Sequence, residues 1–158
     1  MQRMFSLALV VLATTATLAA LGTDNSLGTW KVNVEASKYT PAPWPVKSLT
    51  VVRAAAPGGV QVTSTGERTD GTAIKASYTA NFDGTPAGVT GQGSPYDTIS
   101  IKQVDANTFT YEAKSTTGKY HASGRIVISS DGKTMTMTAT GTDADGNPMT
   151  LTLVYDKQ

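Results

Sequence analysis

Apolar and polar residues alternate with a period of two along most of the chain that follows residue 22. Across residues 73–82, for example, Ile74, Tyr78 and Phe82 share one face of the segment and Lys75 lies on the other. This alternation is typical of a β-strand with one buried face and one wetted face. No stretch of ten or more residues in this region shows the 3.6-residue apolar period of an amphipathic helix. The pattern therefore predicts an all-β protein.

The alternating segments predict nine strands separated by short turns. The predicted strands are Thr29–Val34, Lys47–Arg53, Val60–Thr65, Ala73–Phe82, Thr98–Val104, Thr108–Lys114, Tyr120–Ser129, Thr134–Thr140 and Met149–Tyr155. Asp-Gly pairs, a strong hairpin signal, occur at Asp70-Gly71, Asp83-Gly84, Asp131-Gly132 and Asp145-Gly146. Short connections make successive strands antiparallel neighbours. The predicted fold is an antiparallel up-and-down meander of about eight to ten strands that closes as a barrel, with a β-sandwich as the alternative.

The first 22 residues have the composition of a secretory signal peptide. Arg3 provides positive charge, Phe5–Leu12 is apolar, and small residues follow. The stretch is shorter than the about 20 apolar residues that cross a membrane, and threonines interrupt it. Cleavage is expected after Gly22, with Ala19 as the alternative site. The sequence thus predicts a signal peptide at 1–22, a single barrel domain at 23–158 without a membrane span, and a periplasmic or secreted location.

Charge and cysteine content narrow the possible partners. The chain has 13 Lys and Arg residues and 12 Asp and Glu residues, so loss of Arg3 with the leader makes it formally neutral. Nucleic-acid binding needs a dense basic face, which argues against that class of partner. The sequence has no cysteine, which excludes disulfides, thiol nucleophiles and thiolate metal sites. A protein partner cannot be named from these features.

Residues that could support catalysis or bind a metal are sparse. His121 is the one histidine, and its strand parity places it on the wetted face, where a lone histidine is more often an ordinary surface residue than a base, because a base needs an orienting partner. The segment from Asp143 to Asn147 resembles a calcium loop, but its glycine comes too early and Thr152 stands where a glutamate is needed. We therefore expect no enzymatic activity, no metal and no cofactor.

The side chains predicted to face inward include many small ones, such as Ala76, Ala113 and Gly124. Small inward residues are compatible with two closely packed sheets or with a ligand cavity. A Pro-rich segment, Thr40–Pro45, carries Trp44 at one end of the predicted barrel, where it could gate a mouth. Arg53 shares strand parity with inward residues, although a surface arginine at a strand end is the alternative. The candidate ligand-binding residues are Trp44, Arg53, Tyr78, Phe82, Tyr111, Tyr120, Met135 and Met137.

Two short motifs resemble those of lipocalin-like barrels. Gly28-Thr29-Trp30-Lys31 resembles the Gly-x-Trp start of that family, and the segment Leu151–Lys157 looks like the last strand of the related fatty-acid-binding barrels. The resemblance implies that Trp30 plugs the closed end of the barrel. It also implies an arginine from the final strand, either stacked on this tryptophan or holding a carboxylate, but no arginine lies between Met149 and Gln158.

Together these features predict an exported, lipocalin-like barrel that binds a small apolar ligand. The alternative is a non-catalytic periplasmic module for protein interaction or envelope structure. A sizeable internal cavity would favour the first hypothesis, and a fully packed interior would favour the second.

Overall fold

The computed structural model describes residues 24–158, so the predicted signal peptide lies outside the described residues. Every regular element in this part of the chain is a β-strand, which confirms the all-β prediction. The strands are β1 (Gly28–Thr40), β2 (Val46–Ala56), β3 (Gly59–Arg68), β4 (Ala73–Asn81), β5 (Ala87–Gly88), β6 (Thr90–Gln92), β7 (Thr98–Gln103), β8 (Thr108–Lys114), β9 (His121–Ile128), β10 (Thr134–Thr142) and β11 (Pro148–Lys157).

The strands form one antiparallel sheet in the order β5-β7-β8-β9-β10-β11-β1-β2-β3-β4-β6. Every neighbour is sequential except where β11 pairs with β1 and where β5 and β6 extend the two edges. The edges meet at one end, where Gly84 N donates to Ile101 O at 2.9 Å and Gln103 N donates to Phe82 O at 3.0 Å. The sheet is therefore a nearly closed up-and-down barrel, and the sandwich alternative is wrong.

The two ends of the barrel differ. At the floor, which holds the turns 57–58, 104–107 and 129–133, the inward side chains fill the interior. The fully buried residues there include Trp30, Ile101 and Phe109, and the Phe82 and Phe109 ring centroids are 4.9 Å apart. At the mouth, which holds the loops 41–45, 93–97 and 143–147, large cavity-lining side chains such as Tyr39, Trp44 and Tyr96 are only partly buried. Packing thus closes one end and leaves space at the other.

The largest differences from the predicted strands occur in two places. β1 continues to Thr40, six residues past its expected end. A bulge between Asn33 and Lys38 shifts its register against β11, and the pairing resumes after it. Ser37 Oγ bridges the bulge by donating to Asn33 O at 2.7 Å and accepting from Val154 N at 3.0 Å. The bulge disrupts the alternation of apolar and polar residues, so the sequence pattern did not predict the part of β1 that follows Val34. The segment after β4 also contains β5 and β6, which are too short to show a period of two.

Candidate ligand-binding site

A cavity of about 460 Å³ occupies the barrel interior between the packed floor and the mouth. Its volume falls within the roughly 300–1,000 Å³ of small-molecule sites. Its wall is mostly apolar, with Leu49, Val62 and Ile126 as examples. Small residues such as Ala76 and Ala113 create the space, because their side chains face inward where larger ones would fill it. The cavity is thus a consequence of the small inward residues seen in the sequence.

Seven of the eight candidate residues line this cavity: Trp44, Arg53, Tyr78, Tyr111, Tyr120, Met135 and Met137. Phe82 does not. Its parity is inward, but it follows the last residue of β4 at a level where the interior is packed, and its ring contacts Phe109. Strand parity predicts which way a side chain points, and it does not predict whether that level of the barrel is packed or open.

All six tyrosines of the chain line the cavity. Sequence reasoning missed Tyr39, Tyr96 and Tyr155 as wall residues. Tyr155 had an inward parity that could have identified it, whereas Tyr39 and Tyr96 lie in segments that carried no clear alternation. The Tyr96 and Tyr120 rings are stacked at 5.8 Å between centroids. The wall therefore combines apolar surface with hydroxyl groups from floor to mouth.

These hydroxyls stay protonated at neutral pH. Burial raises the pKa of Tyr120 to about 12, and burial also raises the pKa of Tyr78, Tyr96, Tyr111 and Tyr155. A buried phenolate would lose its hydration, which explains the direction of each shift. The cavity wall thus presents neutral hydroxyls that can donate or accept hydrogen bonds.

Arg53 lies on the cavity wall near the floor and is only 4% exposed, so the surface alternative for this residue is wrong. Its Nε donates to Ser26 O at 3.0 Å, and its guanidinium carbon lies 5.9 Å from the Phe109 ring centroid. Its Nη2 has no hydrogen-bond partner among the described residues. Burial lowers the Arg53 pKa, and nearby Tyr78, Asp24 and Tyr155 oppose that effect. Arg53 is therefore a buried cation that the protein satisfies only in part.

The floor beneath Arg53 is held by the turn at residues 24–27. Ser26 O accepts from Trp30 Nε1 at 3.1 Å as well as from Arg53, and Trp30 is fully buried at this closed end. Lys157 Nζ lies 5.0 Å from the Trp30 ring centroid and donates to Asn25 O at 3.1 Å. The resemblance implies an arginine over this tryptophan, and Lys157 occupies that place instead.

Three segments surround the mouth. The loop 41–45 carries Trp44, and Pro45 O accepts from Thr69 N at 3.0 Å. Arg68 donates through Nε and Nη2 to Gly93 O at 3.2 and 2.9 Å, which ties β3 to the loop 93–97. In the third segment Asp143 accepts from the backbone N–H groups of Asp145 and Asn147. These carboxylate contacts are those of a hairpin turn.

Within residues 24–158, no group of three potential metal-ligating side chains comes together, and no helix is long and apolar enough to cross a membrane. His121 lies on the outer face, with Nε2 3.4 Å from Glu112 Oε1, and both side chains are about half exposed. This pair is remote from the cavity wall, because both residues point away from the interior.

Comparison with known proteins gives little guidance. No family model and no curated protein matches the chain. A solved structure described as EF1p2_mFAP2b bound to DFHBI is similar to it, with 15% identity and a TM-score of 0.47 over 85% of this chain and 95% of that one. A likeness this weak transfers neither a ligand nor a function. The barrel architecture rests on the strand order and pairing of this chain, and the lipocalin-like resemblance stays a prediction.

Proposed function

We propose that this protein is a non-catalytic barrel that binds a small, largely apolar molecule in its internal cavity. The observation that carries the proposal is the contrast between the two halves of the interior. The floor is packed by large side chains such as Trp30 and Phe109, whereas the other half encloses about 460 Å³ behind small side chains. A barrel with a structural role alone would gain stability by filling that volume.

The chemistry of the wall supports binding rather than catalysis. Apolar side chains provide most of its surface, and the polar uncharged or cationic side chains are the tyrosines, Ser64, Ser94 and two arginines. Among the described residues, the carboxylates on the wall are Asp143 and Asp145 at the rim. A general base needs an orienting partner and access to the reacting atom. Apolar walls with a few oriented polar groups are typical of ligand sites.

N-phenyl-1-naphthylamine, a neutral dye that fluoresces in apolar surroundings, tests the proposal. We expect saturable fluorescence enhancement with the unmodified protein and at least about tenfold weaker binding by Ala113→Phe, which places a ring in the cavity. Lys114→Phe is the matched control, because the neighbouring side chain is exposed on the outer face. Equal affinity in all three proteins would place the dye outside the cavity and contradict the proposal.

We also propose that the protein is exported, on the basis of its N-terminal sequence. Intact-mass measurement of the protein isolated from its source should give a chain that begins at Thr23, or at Ala20 if cleavage follows Ala19. A mass that includes Met1–Gly22 would contradict cleavage.

A further inference from the structure

We propose that the ligand is an oxygenated aromatic acid and that Arg53 binds its acidic group at the floor of the cavity. This inference rests on the proposed function, since it names the chemical class of ligand that the same cavity would take. The carrying observation is a buried cation without a carboxylate within 4.0 Å among the described residues, in a cavity whose wall holds every tyrosine of the chain.

The guanidinium of Arg53 is a buried charge. No carboxylate of the described residues lies within 4.0 Å of its guanidinium, and Nη2 has no hydrogen-bond partner among them. A buried charge is costly unless it is paired and hydrogen-bonded. The contact with the Phe109 ring at 5.9 Å compensates only part of that cost. An anion bound beside Arg53 would complete the pairing.

The contact between Arg53 and the turn at residues 24–27 does not by itself account for a buried arginine. That contact uses one donor, Nε, on Ser26 O. A guanidinium has five N–H donors in a planar fork that matches a carboxylate. Tyr78 and Tyr155 of the cavity wall interact electrostatically with Arg53 and are protonated, whereas Asp24, which also interacts with it, is exposed and does not line the cavity. The floor therefore concentrates donors around one positive charge, which suits a group that only accepts hydrogen bonds.

The rest of the ligand would face a wall rich in tyrosine. Tyrosine hydroxyls recur along the wall from Tyr155 near the floor, through Tyr111, to Tyr39 at the mouth. An acyl chain carries no acceptor or donor and would leave these hydroxyls without partners, which is unfavourable. An aromatic ligand with oxygen substituents would satisfy them and stack on rings such as Tyr96, Tyr120 and Trp44. The wall thus favours an oxygenated aromatic acid over an aliphatic one.

Four probes separate these features by isothermal titration calorimetry. The reference is 4′-hydroxybiphenyl-4-carboxylate; its methyl ester removes the charge, biphenyl-4-carboxylate removes the hydroxyl, and dodecanoate replaces the rings with an acyl chain. We expect the reference to bind on the order of tenfold to a hundredfold more tightly than its ester, because hydrogen bonds to charged groups are strong. It should also bind more tightly than the other two acids.

Arg53→Met and Arg53→Lys test the assigned residue. Arg53→Met should bring the affinity of the acid down to that of its ester and leave the ester unchanged, whereas Arg53→Lys should keep part of the preference. Near-ultraviolet circular dichroism checks that each variant is folded. If Arg53→Met does not fold, the comparison of acid with ester in the unmodified protein still decides whether the site prefers an anion.

The outcomes distinguish this inference from the proposed function. Equal binding of acid and ester, with naphthylamine binding still blocked by Ala113→Phe, would overturn the anion site and leave the cavity as an apolar site. Dodecanoate binding as tightly as the reference acid would overturn the aromatic preference. Failure of every probe, the neutral dye included, would overturn the proposed function itself.

Discussion

Two alanines on the inward face of β4 allow the cavity to be tested without any ligand. Ala76 lines the cavity, opposite Ser64 on β3. Ala80, four residues further along the same face, is 1% exposed and lies opposite the fully buried Val60. The same substitution, alanine to leucine, therefore enters open space at one position and packed core at the other.

The two substitutions should change the free energy of unfolding in opposite directions. Ala76→Leu adds three carbons to an apolar interior at about 0.8 kcal/mol each, and fixing the side chain costs about 0.5–1 kcal/mol. The free energy of unfolding should thus rise by roughly 1–2 kcal/mol. Ala80→Leu forces the same atoms into a close-packed region and should lower it by about 1–3 kcal/mol.

Equilibrium urea unfolding followed by far-ultraviolet circular dichroism measures both changes. The two variants should differ by roughly 2–5 kcal/mol, provided that their m-values match that of the unmodified protein. If Ala76→Leu destabilises the protein as much as Ala80→Leu, the cavity does not exist in solution and the reasoning behind the proposed function fails.

Three further predictions concern the sheet, the floor and acid stability. Gly124→Ala should lower the free energy of unfolding by about 2 kcal/mol or more, because a Cβ there would lie 1.7 Å from Thr138 O. Gly88→Ala is the control, because nothing lies within 4 Å of its new Cβ, and it should change the free energy of unfolding by less than about 0.5 kcal/mol. Equal urea midpoints for the two variants would contradict this prediction. Trp30→Phe removes the indole donor on Ser26 O and should cost about 2 kcal/mol in the same assay, so an unchanged midpoint would show that the floor does not depend on this bond. Asp97 accepts hydrogen bonds from Thr116 N and Oγ1, which lowers its pKa below the ordinary 3.8. The resulting stabilisation is present above that value and is lost as the pH falls through the folded pKa, so Asp97→Asn should flatten the loss of stability below about pH 4. Parallel acid-unfolding curves for the two proteins would contradict the assignment.

The alternation in the sequence was sufficient to predict the architecture and the inward faces. Because side chains point to opposite faces at every step, Tyr78 and Met137 could be assigned to the interior without any tertiary information. The pattern could not give the level of a residue along the barrel axis, since that depends on the register between strands. Phe82 and Tyr78 share one face, yet one packs into the floor and the other lines the cavity.

Other parts of the site depend on contacts between distant segments. Tyr96 reaches the wall from a loop, and the short strand β6 joins that region to β4 through three residue pairs. Such a strand is too short for periodicity to detect. The buried position of Arg53 depends on Ser26, which lies 27 residues earlier in a turn beneath the barrel. No local pattern could have identified that partner.

The pairing of β1 with β11 has a consequence for how the chain folds. Trp30 lies opposite Lys157, so the first strand of the barrel completes its hydrogen bonds only with the last. Such a contact of high sequence separation makes folding slow, because the loop entropy must be overcome before the contact forms. Until β11 arrives, β1 and β10 both present an open edge that could pair with another chain. We therefore expect a chain truncated before Pro148 to aggregate, and the intact chain to fold only after it has been synthesised in full.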